Sequence, residues 1–416
     1  MIIDTVVQQH VQECAALRNV RSVLLRAPHV QLHRLRRLDE RIAGHLDGIA
    51  VSGGAGLALL EAELADEPTP ARVFALTVCA LQDRQTELLE RLMLLAAAMP
   101  EAERGFVSAL GWVSSDALQG VVRSWLASHE PMHRGRGRAP WPTPAVDPGV
   151  VLTQSVQDAD AGVRSRAWRV AGQLGRRDLA EEAHLALSRP AAWALTLWGM
   201  GQDGPVRRML VAAPDGQACA PHCAQRLATM AAPVDWGREQ VRSLAAQAEG
   251  SAPAKRRMVQ IASWLGDVQV VPWLIQHMAD DAWARLAGEA FSFIAGVDLV
   301  ATGLERSPPG RIAAGPSDRP EDQDVAMDED EGLPWPDAEK VARWWKSSGQ
   351  RFDPGTRLFM GQSPSLAHCL SVLKTGGQRQ RIAAAEWLCL LKPGTPLFNT
   401  AAPAWRQQRW LDAMGA

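Results

Sequence analysis

Apolar residues recur at three- and four-residue steps almost everywhere along this 416-residue chain, the spacing of a stripe down one side of a helix. In TVVQQHVQECAALRNVRSVLL the stripe is Val7, Val11, Cys14, Leu17, Val20 and Leu24, and LHRLRRLDERIAGHLDGI continues it with Leu32, Leu35, Leu38, Ile42 and Leu46. Gly48, then Gly53, Gly54 and Gly56, punctuate the pattern. The same periodicity predicts helices over residues 56–65, 70–82, 84–98, 101–111 and 115–128. Ala, Leu, Arg, Glu and Gln dominate throughout, all good helix formers, so an all-α protein is expected.

Residues 131–150 break the pattern. The stretch SHEPMHRGRGRAPWPTPAVDPG around them is rich in Pro, which removes backbone donors, and in Gly, which raises the entropy cost of ordering. It divides an N-terminal helical domain (1–130) from the remainder of the chain. Beyond it an internal repeat decides the fold. VRSRAWRVAGQLG places Arg164, Ala167, Ala171, Leu174 and Gly175 at offsets 0, 3, 7, 10 and 11. Those offsets return as Lys255, Met258, Ala262, Leu265 and Gly266, as Arg285, Gly288, Ser292, Ala295 and Gly296, and more loosely as Pro190, Trp193, Leu197, Met200 and Gly201. The closing glycines are 26, 65 and 30 residues apart, so a unit of about 30 residues with one degenerate copy between Gly201 and Gly266 fits. Small residues in the stripe let a neighbouring helix approach, and the terminal glycine supplies the left-handed turn that ends a helix. A second helix per unit, as in VQVVPWLIQHM, covers the stripe, and no pair buries its stripe without a neighbour.

DADAGVRSRAWRVAGQLG resembles a HEAT repeat, which implies an α-solenoid of antiparallel helix pairs, an α/α superhelix, over 151–300. Residues 301–337 then form a long acidic, Pro-rich insertion, and 338–416 a C-terminal helical cap that opens with Asp337 as N-cap of AEKVARWWKSS. Arg381, Ala384, Leu388 and Leu391 fall on the repeat offsets once more.

Charge alters this picture in one place. The formal net charge is −2, yet residues 318–331 hold eight acids and one Arg, leaving +5 on the rest. A near-neutral whole gives no drive toward nucleic acid or an anionic membrane, while the acidic run can dock on a mildly basic body. No uninterrupted 18-residue apolar stretch or signal peptide is read, so a cytoplasmic protein with no membrane partner is expected. Cysteines 14, 79, 219, 223, 369 and 389 fall mostly in helical patterns and suit buried thiols better than disulfides.

Candidate chemistry is sparse. His129, Glu130 and His133 spell the H-E-x-x-H of zinc peptidases, but Pro131 and the RGRGR after His133 stop the helix that would face both imidazoles to one ion. Cys219, His222 and Cys223 lack a second cluster to complete a tetrahedron. An EF-hand register from Asp328 places Gly332 at a ligand position and Leu333 at the obligatory glycine. Neither G-x-S-x-G nor a Walker loop occurs, and SGGAG lacks a flanking strand. No catalytic residue, cofactor, metal or small-molecule ligand is expected.

LHRLRRLDERIAGHLDGIAVSGGAGLALLEAEL, with Leu38, Asp39, His45, Leu46, Asp47 and Gly48, and LPWPDAEKVARWWKSSGQRFDPGTRLFMGQ, with Leu333, Pro334, Trp335, Pro336, Trp344, Trp345, Gly355, Arg357 and Gly361, resemble an uncharacterised proteobacterial HEAT-like family. Its members are often encoded among type VI secretion genes. The resemblance implies the traffic of, or protection against, secreted toxins, and it carries over no active site. The expectation is a non-catalytic module that binds a protein partner, a toxin effector, as immunity protein or effector-loading adaptor. The residues expected to reach that partner are Asp328, Glu329, Asp330, Glu331, Trp335, Trp344 and Trp345. Two alternatives stand beside it. One is a HEAT-like DNA-binding enzyme of the alkylated-base glycosylase kind, motivated by Arg164, Arg166, Arg169, Arg176, Arg177 and the 16 Trp. The other is a structural subunit of a larger assembly.

Overall fold

The computed structural model describes residues 3–128, 130, 133–134, 149–212, 221–248, 250–310 and 328–415. Among these the protein is all-α: no strand forms, and the only β-type pairings are the isolated bridges Glu305 to Pro336 and Phe359 to Gln362. The N-terminal stripe becomes the antiparallel pair Asp4–Leu24 and Leu32–Val51, packed on the helix Pro70–Gln82 and its partner Pro100–Trp112. Pro70–Gln82 is the centre of that core, because every residue from Ala71 to Leu81 is buried except Arg72. Thr69 caps it by accepting from the Arg72 amide, with Pro70 at the first helical position where its missing N–H costs nothing. The single helix expected over 115–128 is instead two, Ser115–Leu118 and Val121–Ala127, because Gly120 turns left-handed (φ 85°) between them. The linker 131–150 lies almost wholly outside the described residues.

The repeat stripes form a row. Ala161–Leu174 packs on Arg189–Leu195, the following turn Thr196–Met200 on Pro221–Ala231, that helix on Ala252–Leu265, and this on Ala284–Ala295. Between Gly201 and Gly266, where a degenerate copy was expected to fit, stand Gly204–Val211, Pro221–Ala231 and Val234–Ala248, the last packed on Ala252–Leu265. Gly175, Gly266 and Gly296 end their helices at φ 70°, 67° and 67°, as the offsets predict. Gly201 does not. It stays right-handed (φ −69°), and Gly199 (φ 88°) makes the left-handed turn two residues earlier, inside a π-type turn that breaks the α-helical register.

The C-terminal residues do more than cap one end. Helix Gln378–Leu391, paired with Leu366–Thr375, crosses the row: Arg379 bonds Glu289 of the last helix at 2.6 Å, Glu386 forks Arg226 with two bonds of 2.7 Å, and Cys389 joins the core of the first units. That part of the row's surface is therefore covered. The extended residues beside this pair tie off the row's helix ends, whose last carbonyls have no partner within the helix. The Leu358 amide donates to Gly266 O (2.8 Å), Met360 to Phe293 O (2.6 Å), Gly361 to Ile294 O (2.9 Å) and Leu397 to Gln173 O (2.7 Å), while the Arg357 guanidinium donates to Met230 O and Ala232 O. The same segment locks the N-terminal pair. Arg21 bonds buried Asp39 at 2.6 Å and the carbonyls of Ala401 and Ala402 at 3.0 and 3.2 Å, and the second Asp39 oxygen, 3.4 Å from the same guanidinium, accepts from the Ala404 amide at 2.8 Å.

The described ends of the acidic insertion meet. Arg306 N–H donates to Trp335 O and Asp337 N–H to Leu304 O, both at 2.8 Å, so residues 304 and 337 stand side by side. Asp337 then caps Ala338–Ser348 through the Glu339 and Lys340 amides, as expected. Burial pushes the thiols of Cys14, Cys79, Cys369 and Cys389 up to about 12, which fits buried, unreactive cysteines.

Candidate functional site

The described end of the acidic run is a tight turn. Asp328 Oδ1 accepts the Asp330 amide at 3.0 Å, the Glu331 amide bonds Asp328 O, and Gly332 takes φ 78°. A Cβ on Gly332 would come within 2.0 Å of the His29 ring, so only glycine lets the turn seat there; His29 Nδ1 lies 3.2 Å from Glu331 O.

Three arginines from two parts of the fold receive this turn. Arg256, on Ala252–Leu265, forks Asp330 with bonds of 2.7 and 2.6 Å and reaches Glu329 at 2.8 Å. Arg285, at the start of Ala284–Ala295, bonds Asp328 at 2.6 Å and Asp330 O at 3.1 Å. Arg379, on the crossing helix, stands 3.6 Å from Asp330, bonds Glu329 O and Glu289, and donates to Arg26 O. Bidentate guanidinium to carboxylate contacts are the strong, orientation-specific kind. One turn thus joins the row, the crossing helix and the N-terminal pair.

Electrostatics separates the two buried acids here. Burial raises the Asp330 carboxyl, but the hydrogen bonds and charge of Arg256, with Arg379 and Arg285 behind, hold it below the ordinary carboxylate range. For Glu289 burial dominates, and despite Arg379 its carboxyl is raised, with Asp330 adding to the rise.

Of the residues expected to meet a partner, Asp330 and Trp335 are buried, each 7% exposed. Trp335 is clamped between the Arg285 and Arg306 guanidinium groups, 4.8 and 5.3 Å from its ring. Asp328 is spent on Arg285. Glu329 and Glu331 remain exposed, and Trp344 and Trp345 are half-buried with their edges against Phe291, Trp345 also stacked on Phe352. Arg256, Arg285 and Arg379, which hold the turn, carry no site motif in the sequence. Arg285 was visible only as a repeat position, and the one signal for the set was the +5 body beside a −7 run.

Three half-exposed tryptophans carry a cation: Arg207 lies over Trp236 (5.1 Å), Lys255 over Trp283 (4.8 Å) and Arg351 over Trp344 (5.1 Å). Of the five arginines that suggested DNA, three are engaged internally: Arg164 with the Asp158 and Ala159 carbonyls, Arg166 with Glu103, and Arg176 with Asp178. His133 lies 3.0 Å from Glu90 and 2.9 Å from Ser128 Oγ, while His129, Cys219 and the His222 side chain lie outside the described residues. Among the described residues no group of three or more metal-ligating side chains gathers. A cleft of about 400 Å³ opens between Arg238, Asp267 and residues 354–356. Within it Arg238 bonds Asp267 at 2.7 Å.

Fold and site define an all-α protein of helix pairs closed by a crossing C-terminal pair and an internal charge cluster. No protein-family model matches the chain, and neither curated proteins nor solved structures give a match. Among the described residues no single helix is long and apolar enough to cross a membrane.

Proposed function

We propose that this chain is a non-catalytic helical scaffold of HEAT-like, solenoid-type pairs that binds another protein. In the type VI setting implied by the sequence resemblance, the partner is a toxin effector, held either for immunity or for loading. The observation that supports protein binding is the series Trp236, Trp283 and Trp344, each half-exposed and each under a cation. Trp and Arg are the residues that most often carry interface energy, and a ring already paired with a cation offers a flat apolar face with a polar rim. Glu329 and Glu331 are exposed acids on the turn held by Arg256 and Arg285.

The test is co-purification and calorimetry of the full chain against the products of neighbouring genes. One of them binds at micromolar concentration or tighter, and Trp283→Ala and Trp344→Ala weaken it at least tenfold while leaving the fold intact. Failure of every neighbour to bind at micromolar concentration overturns the reading.

A further inference from the structure

The N-terminal helix pair holds a second cluster, remote in sequence from the acidic turn and its arginines. His10, on Asp4–Leu24, and His45, on Leu32–Val51, face each other with Nδ1 atoms 3.1 Å apart and rings inclined by 64°. The arrangement is fixed by Gly48. A Cβ there would lie 2.7 Å from the Cε1 and Nε2 atoms of His10, so the ring rests its far edge on the bare backbone and aims its other nitrogen at His45. Two imidazole lone pairs pointed at one another repel, so something must lie between them. A proton on one ring does this, and so does a metal ion. At metal to nitrogen distances of about 2.0–2.1 Å, two imidazoles on one ion place their nitrogens close to the separation found here.

No third ligand is gathered at the pair among the described residues, and Glu13 is the side chain that would have to swing in. Glu13 follows His10 by three residues on the same helix, which brings it to the same face. Among the described residues its one ion pair is loose and exposed, with Arg41 at 4.0 Å. Both histidines are half-buried and open to solvent on one side, so an ion can enter and retain water. Two imidazoles and one carboxylate suit late first-row divalent ions, with nickel, copper and zinc at the favourable end.

We infer that His10 and His45, completed by a swing of Glu13, form a binding site for a late first-row divalent cation that staples the first two helices together. The ion replaces the proton shared by the two rings, and closing the pair raises the stability of the N-terminal domain.

The test uses untagged full-length protein titrated with Zn²⁺ and Ni²⁺ by calorimetry and by thermal unfolding. Because Cys219, His222 and Cys223 are also metal-capable, every titration is repeated in a C219S/C223S background. The expected result is one site present in both backgrounds, a higher Tm with metal, a loss of affinity of at least tenfold in H10A and in H45A, and a smaller loss in E13Q. The Tm of each metal-free variant reports separately whether it folds. Absence of any metal-dependent Tm shift overturns the inference, and so does affinity that survives in a folded H10A/H45A variant or vanishes in C219S/C223S.

Discussion

Gly266 and Leu358 are joined backbone to backbone: the Leu358 amide donates to the Gly266 carbonyl at 2.8 Å, and a Cβ on Gly266 would stand 2.1 Å from the Leu358 oxygen. The glycine is needed twice, for its left-handed φ of 67° and for the close approach of another segment. Gly303 has the same φ of 67° with nothing near its missing Cβ, which makes it a matched control. Gly303→Ala is expected to cost about 1–2 kcal/mol, the left-handed penalty alone. Gly266→Ala costs more, because it also displaces residues 357–361 from the helix ends. Urea unfolding of both variants measures the difference, and equal costs would show that the contact contributes nothing.

Arg256 and Asp330 should be energetically coupled. Asp330→Ala leaves a mostly buried guanidinium without its fork and is expected to cost about 2–4 kcal/mol. Adding Arg256→Met removes the stranded charge, so the double variant falls short of the summed single costs by about 1–3 kcal/mol. Strict additivity in a double-mutant cycle would refute the pairing.

The two acids of that cluster carry opposite pH signatures. Asp330 ionises more readily folded than unfolded, so its contribution is present above the ordinary value of 3.8 and is lost as pH falls through its depressed folded value. Glu289 ionises less readily folded, so its contribution is full below the ordinary 4.5 and is lost as pH rises through its elevated folded value. Urea midpoints measured between about pH 3 and pH 7 should show D330N flattening the acid limb and E289Q flattening the decline on the other side. The same slope change in both variants would contradict the assignment.

Arg381 is fully buried with no carboxylate partner among the described residues; burial lowers it to about 10, and it is held by Leu373 O at 2.7 Å, Gln378 Oε1 at 2.8 Å and Gln407 Oε1. Lysine has the charge but not the fork that spans three acceptors, so Arg381→Lys is expected to cost about 3–5 kcal/mol, close to what Arg381→Ala costs. Hydrogen exchange should show the loss concentrated where helix Gln378–Leu391 meets Ala404–Ala413. Full rescue by lysine would mean that charge alone matters there.

Local rules account for what the sequence made visible. The stripe offsets and closing glycines anticipated Ala161–Leu174, Ala252–Leu265 and Ala284–Ala295 with their left-handed ends, since periodicity and Gly conformation act within a single turn. Gly199 in place of Gly201 escaped, because a π-type turn shifts the register without changing composition. The crossing helix escaped for another reason. Arg381, Ala384, Leu388 and Leu391 fit the repeat offsets, and offsets fix which face is buried but not against what. In the candidate site the acidic run announced itself by charge, while its receivers Arg256, Arg285 and Arg379 are spread over more than a hundred positions and share no local pattern.

The bond from Arg21 to the Ala401 carbonyl spans 380 positions. At about 5–20 residues per second, ribosomal synthesis separates the two by roughly 20–80 s. Through that interval the Arg21 and Asp39 pair exists without the carbonyls and the Ala404 amide that complete it, and the ends of the row's helices stand open. Folding domain by domain as the chain emerges can therefore build each half but cannot finish either, and the exposed seams are where a nascent-chain chaperone would find its longest foothold.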